Sequence, residues 1–131
     1  MKLIDKVNAY KTLREMIKEE WPFGFAYKIT QLMRFLEPEF QFFSEEEMKL
    51  VAAYGKKDED GKVALDGDGS FAFASEEDMR TYLSRMKELK ETEMDVEEEP
   101  KISVSPPGFI KGEWLAAIEP FFDFEYEEKM G

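Results

Sequence analysis

The chain has 131 residues, 43% apolar and 15% aromatic, which suits one domain with a buried core and excludes wholesale disorder. Thirty acidic residues against eighteen basic ones give a net charge of −12, which excludes broad nucleic-acid binding, because phosphate contacts need lysine and arginine in excess. With no His and no Cys, Ser-His-Asp and Cys-His nucleophiles, ordinary zinc sites and imidazole acid–base chemistry are all excluded.

No stretch approaches the roughly 18 uncharged apolar residues of a membrane span. Asp5 falls where the apolar block of a signal peptide would begin, so a cytoplasmic protein is expected. The charge is unevenly placed. Residues 1–36 carry seven Lys/Arg and four Asp/Glu, a net of +3, and the rest carries −15. A mildly basic helical pair docked on an acidic remainder accounts for this layout, as does an acidic surface offered to a basic partner.

In chain order, Leu3, Val7, Tyr10, Leu13 and Ile17 recur every three or four residues, which predicts an amphipathic helix ending near Glu20. Trp21-Pro22-Phe23-Gly24 then turns the chain, so the next helix should return antiparallel. In that second helix Ile29, Met33, Leu36, Phe40, Phe43, Leu50 and Tyr54 hold one period that runs straight through Pro38. An interior proline costs ~3 kcal/mol. Ser44-Glu45-Glu46-Glu47 also reads as a capping box, with Phe43 and Met48 as its staple. Two readings therefore compete: one kinked helix from about 25 to 54, or two helices restarting at Ser44. The unbroken period favours the single helix, stopped by Gly55.

Lys62–Leu65 and Ser70–Ala74 flank Asp66-Gly67-Asp68-Gly69, a pattern that predicts a β-hairpin. Ser75-Glu76-Glu77-Asp78 is a second capping box, opening a helix to about Lys90 with Met79, Leu83, Met86 and Leu89 as its buried stripe. Residues 91–100 read as acidic and exposed. Trp114–Ile118 forms a short helix halted before Pro120. Phe122-Asp123-Phe124-Glu125-Tyr126-Glu127 alternates strictly and predicts a strand, with the segment around Ile102 as its pairing partner. Together these give a single domain, 1–131, of α+β class. It is mainly helical: an N-terminal antiparallel helix pair with a long second helix, a hairpin, a third main helix, and a short C-terminal helix with a terminal strand.

The Asp-Gly groups invite a calcium reading, but the ligand spacing fails in both registers. Aligning on Gly61 puts Lys56 at position one and Gly67 at position twelve; aligning on Gly69 puts Ala64 and Ser75 there. No glycine group is followed by the Lys-Ser/Thr of a phosphate loop. No catalytic residue, cofactor or metal site is therefore expected. Phe40, Phe42 and Phe43 cannot share one side of a helix, so Phe42 is either a contact residue or the rim of a wide core face. Phe122, Phe124 and Tyr126 are the other candidate protein contacts, since an exposed aromatic strand can extend a partner's sheet.

Several stretches taken in succession resemble a known group. They are Leu3-Ile4-Asp5 with Val7-Asn8-Ala9, Pro22-Phe23 leading into Ala26-Tyr27-Lys28-Ile29, and Tyr54-Gly55-Lys56-Lys57-Asp58-Glu59-Asp60-Gly61. Leu89 with Glu93-Met94-Asp95-Val96, and Leu115-Ala116-Ala117-Ile118-Glu119-Pro120-Phe121, complete the series. Their order is similar to that of a family of small uncharacterised phage and prophage proteins from Gram-positive bacteria. Pro106-Pro107-Gly108-Phe109 departs from its pattern. The resemblance implies a phage accessory or structural role in the host cytoplasm or the virion, and it carries over no catalytic residue.

Three functional classes follow as expectations. The first is a non-enzymatic protein that binds another protein, or a second copy of itself, with no direct nucleic-acid or membrane partner. The second is an acidic decoy imitating DNA phosphates. The third is a carboxylate enzyme using a divalent metal.

Overall fold

The first helix, α1, spans Leu3–Met16 and buries Leu3, Val7, Ala9, Leu13 and Met16. It stops four residues short of the predicted end. Trp21 folds back and its indole Nε1 donates a 2.6 Å hydrogen bond to the Met16 carbonyl, which also accepts from the Glu19 amide in the closing turn. Ile17, placed in the buried stripe by its spacing, thus falls outside the helix and is exposed.

The structure, a computed structural model, describes residues 1–94, 102–104 and 110–124. Its second helix, α2, runs unbroken over Phe23–Tyr54, 32 residues and ~48 Å at 1.5 Å per residue. Ile29, Leu32, Leu36 and Phe43 are buried along it. Pro38 lies inside the helix but on its exposed side, and it has no amide hydrogen to offer the Arg34 carbonyl. Ser44 is consequently a mid-helix residue, and the restart suggested by its capping box does not occur.

The two helices are antiparallel. Leu13 and Met16 pack with Phe25 and Ile29, whereas Leu3 and Val7 pack with Phe43, and Tyr10 stacks on Phe40 at 4.4 Å between ring centres. Between these contacts lies Lys6, whose side chain is fully buried. Its Nζ is 3.7 Å from a Glu39 carboxylate oxygen and 5.8 Å from the centre of the Phe35 ring. Removing one partner of such a buried pair is destabilising, because it leaves the other charge uncompensated.

Helix α3, Glu76–Glu91, starts as the sequence predicts: the Ser75 hydroxyl accepts a hydrogen bond from the Asp78 amide, 3.1 Å. Met86 is its buried residue and packs with Leu3, Val7 and Phe43. Leu83 was expected in that stripe but is 56% exposed. Tyr82 takes the inward position, with ring contacts to Phe71 and Phe73 at 5.5 and 5.2 Å. Two aromatic rings from the preceding segment thus pull the helix face round by one residue.

No hairpin ladder forms between residues 62–65 and 70–74. The segment instead makes isolated antiparallel bridges, Lys57 with Val63 and Gly55 with Phe73, around two tight turns. Gly61 and Gly69 close those turns with φ of 77° and 83°, a region that favours glycine. The turns draw the chain back onto α2 rather than into a strand pair.

Helix α4, Gly112–Ile118, passes through a 3-10 turn, Glu119–Phe121, into strand β2, Phe122–Phe124. β2 pairs in parallel with β1, Ile102–Val104, in the register Ile102–Phe122, Ser103–Asp123 and Val104–Phe124. Glu125 to Glu127 of the expected strand, and the acidic stretch from Asp95 to Pro100, lie outside the described residues. Ile118, Phe121 and Phe122 complete the cluster around Leu13, Ile29, Leu32 and Leu36. The architecture is mainly helical, with one short strand pair among the described residues. Among them, no helix is long and apolar enough to cross a membrane.

Candidate functional site

The Asp-Gly segment borders an open concavity on the surface. Asp58 Oδ1 accepts hydrogen bonds from the Asp60 and Lys62 amides, and the Gly61 amide bonds to the Asp58 carbonyl. Asp68 Oδ1 accepts from the Ser70 amide and hydroxyl, 3.0 and 2.6 Å, and these bonds hold its carboxyl below the usual carboxylate range. These carboxylates shape turns, each satisfied by the backbone it caps.

Gly55 decides how closely the turns approach α2. A Cβ there would come within 2.7 Å of the Val51 carbonyl oxygen and 2.7 and 2.8 Å of the two Val63 methyl groups. Val63 therefore sits directly on the glycine. Beside this contact an open cavity of about 460 Å³ separates α2 from the turns. Met48, Val51 and Ala52 form the helical wall; Val63 and Leu65 form the other, with Lys57 and Lys62 among the charged lining residues. Glu47 lines the helical side. Burial first, and the Glu47 carboxylate second, push the Tyr82 phenol above its ordinary value.

The cavity's chemistry is apolar walls with charge at the margin. Met48 and Leu65 are 70% and 61% exposed, so its lining is open to solvent. Neither Lys57 nor Lys62 forms an ion pair with a described residue, in a chain with twelve more acids than bases. A volume of this size is in the range of small-molecule sites. A second cleft, about 350 Å³, lies between α1 and α4 and is lined by the carboxylates of Asp5 and Glu113 with no lysine or arginine.

A separate surface feature stands at the start of α2. Phe23 and Tyr27, one turn apart, are 94% and 63% exposed. Among the residues singled out from sequence, Phe42 is exposed on α2. Phe122 belongs to the core instead, its ring 6.0 Å from that of Phe25, because the 3-10 turn before it directs the chain back under α2. Phe124 ends β2, opposite Val104, and Tyr126 lies outside the described residues. Phe42, exposed on α2, and Phe122, in the core, therefore do not share one surface.

Sequence reasoning missed both the groove and the Phe23–Tyr27 pair. The groove joins residues as far apart as Glu47 and Gly69, which meet only because the turns fold back. The aromatic pair was legible in principle: Phe23 and Tyr27 lie off the period of Ile29, Met33 and Leu36. No protein-family model matches the chain, and neither a curated protein nor a solved structure does, so both features stand on their own geometry.

Proposed function

We propose that this chain is a non-enzymatic accessory or structural protein of a phage or prophage, acting in the host cytoplasm or the virion by binding another protein. One observation carries the reading: Phe23 and Tyr27 stand in water side by side on the outer face of the longest helix. Burying an aromatic side chain of this kind yields roughly 1.5–3 kcal/mol. Rigid aromatic anchors also lose little conformational entropy on docking, which is why they dominate protein interfaces. Phe42, farther along α2, adds apolar surface that a larger partner would cover. The phage or prophage setting rests on the resemblance of the short stretches named from the sequence.

The test is capture of a partner from phage-carrying Gram-positive cells with the tagged chain, against the double variant Phe23→Ser/Tyr27→Ser. The wild type should retain a defined partner, or sediment as a dimer if the partner is a second copy. The variant should lose that association with an unchanged melting temperature, since neither side chain belongs to the core. A wild type that is monomeric and recovers no stable partner overturns the proposal.

A further inference from the structure

We infer that the groove between α2 and the Asp-Gly turns is a binding site for a small amphipathic carboxylate. Its apolar chain would lie on Met48, Val51, Val63 and Leu65, and its anionic head would meet Lys57 and Lys62. This site is distinct from the aromatic pair, since Tyr27 and Met48 are ~30 Å apart along the helix axis.

Three observations select this occupant. First, the walls offer hydrocarbon, with Met48 and Leu65 left largely in water, so an apolar chain gains by covering them. Methionine also adapts to a ligand of irregular shape. Second, Lys57 and Lys62 have no ion-pair partner among the described residues. The nearest carboxylate in sequence between them, that of Asp58, is already bonded to the Asp60 and Lys62 amides. Glu59 and Asp60 share this turn, and Glu47 lines the helical wall, so the complementarity is local to the two ammonium groups. Third, the amides of Asp58, Asp60, Gly61, Lys62 and Gly69 are already hydrogen-bonded within the turns. A peptide strand would find few main-chain partners there, whereas a hydrocarbon chain with a charged head needs none.

The experiment uses the full chain with ε-13C-methyl methionine, and sodium decanoate well below its micelle concentration as the probe. The Met48 resonance, assigned through Met48→Leu, should shift saturably. Lys57→Glu/Lys62→Glu should weaken binding by about tenfold, the scale of losing two exposed ion pairs. Decyltrimethylammonium, with the same tail and the opposite charge, should bind the wild type at least tenfold more weakly than decanoate; this comparison holds even where the variant fails to fold. The inference is overturned if decanoate produces no saturable Met48 shift, if the cationic probe binds equally well, or if the charge-reversed variant binds undiminished. A Met48 shift that follows protein concentration without any ligand would overturn it too, because a second copy would then be covering the groove.

Discussion

Gly55 illustrates how much one position can determine. Its backbone angles, φ −75° and ψ 150°, suit any residue, so its requirement is for space rather than for conformational freedom. Two of the three close approaches involve Val63 methyl groups, which can rotate or shift; the third is the Val51 backbone oxygen, which cannot move without disturbing the end of α2. Gly55→Ala is therefore expected to cost about 1–3 kcal/mol, the usual cost of overpacking, read as a lower urea midpoint at unchanged slope. Adding Val63→Ala should recover only part of the loss. Full recovery would mean that the Val51 contact carries no cost. The sequence marked Gly55 as a helix stop, which it is, but the space that requires glycine is bounded both by the Val51 carbonyl oxygen and by Val63, a residue eight positions on.

At the scale of elements, α2 shows a long-range signal prevailing over two local ones. Pro38 and the Ser44 capping box each argue for a break, yet six or more apolar positions keep one period across both. The local penalties are a few kcal/mol at most, whereas each buried Leu or Phe contributes ~1.5–3 kcal/mol, and Ile29, Leu32, Leu36 and Phe43 need a continuous helix to share one face. Pro38→Ala gives the Arg34 carbonyl its missing donor and should raise stability by about 1–3 kcal/mol in urea unfolding. A decrease would instead show that the core packs against a bend that only the proline produces. In α3 the balance ran differently. Met79, Leu83, Met86 and Leu89 and the alternative Met79, Tyr82, Met86 and Leu89 both satisfy helical spacing, so periodicity could not choose between Tyr82 and Leu83. The aromatic contacts with Phe71 and Phe73 chose.

For the molecule as a whole, charge is the dominant property. Among the described residues few ion pairs join the basic first 36 residues to the acidic remainder. Among the described residues Lys6–Glu39 and the Met1 amine with Glu93 join the two, whereas pairs such as Lys18–Glu15, Lys49–Glu46 and Arg80–Glu76 are local, three or four residues apart. Exposed pairs at this spacing contribute ~0.3–0.5 kcal/mol each. Self-repulsion at a net charge of −12 acts against them. Raising NaCl from 10 to 150 mM shortens the screening length from ~30 to ~8 Å and should raise the melting temperature. A falling melting temperature would show that the local pairs outweigh the repulsion.

The sequence by itself determined the helices and their caps: the period of α1 and α2, the Ser75 cap, the stop at Gly55 and the short helix before Pro120. These depend on residues within one or two turns of each other, so composition and spacing suffice. Tertiary structure decided which aromatics are surface and which are core. Alternation made Phe122 and Phe124 look like one exposed face, but the 3-10 turn at Glu119–Phe121 carries Phe122 beneath α2. It decided as well that the Asp-Gly segment closes a groove against α2 instead of forming a hairpin. Turn propensity specifies that the chain reverses there; what it reverses onto depends on Gly55 and Val63 meeting, a contact that no local pattern encodes.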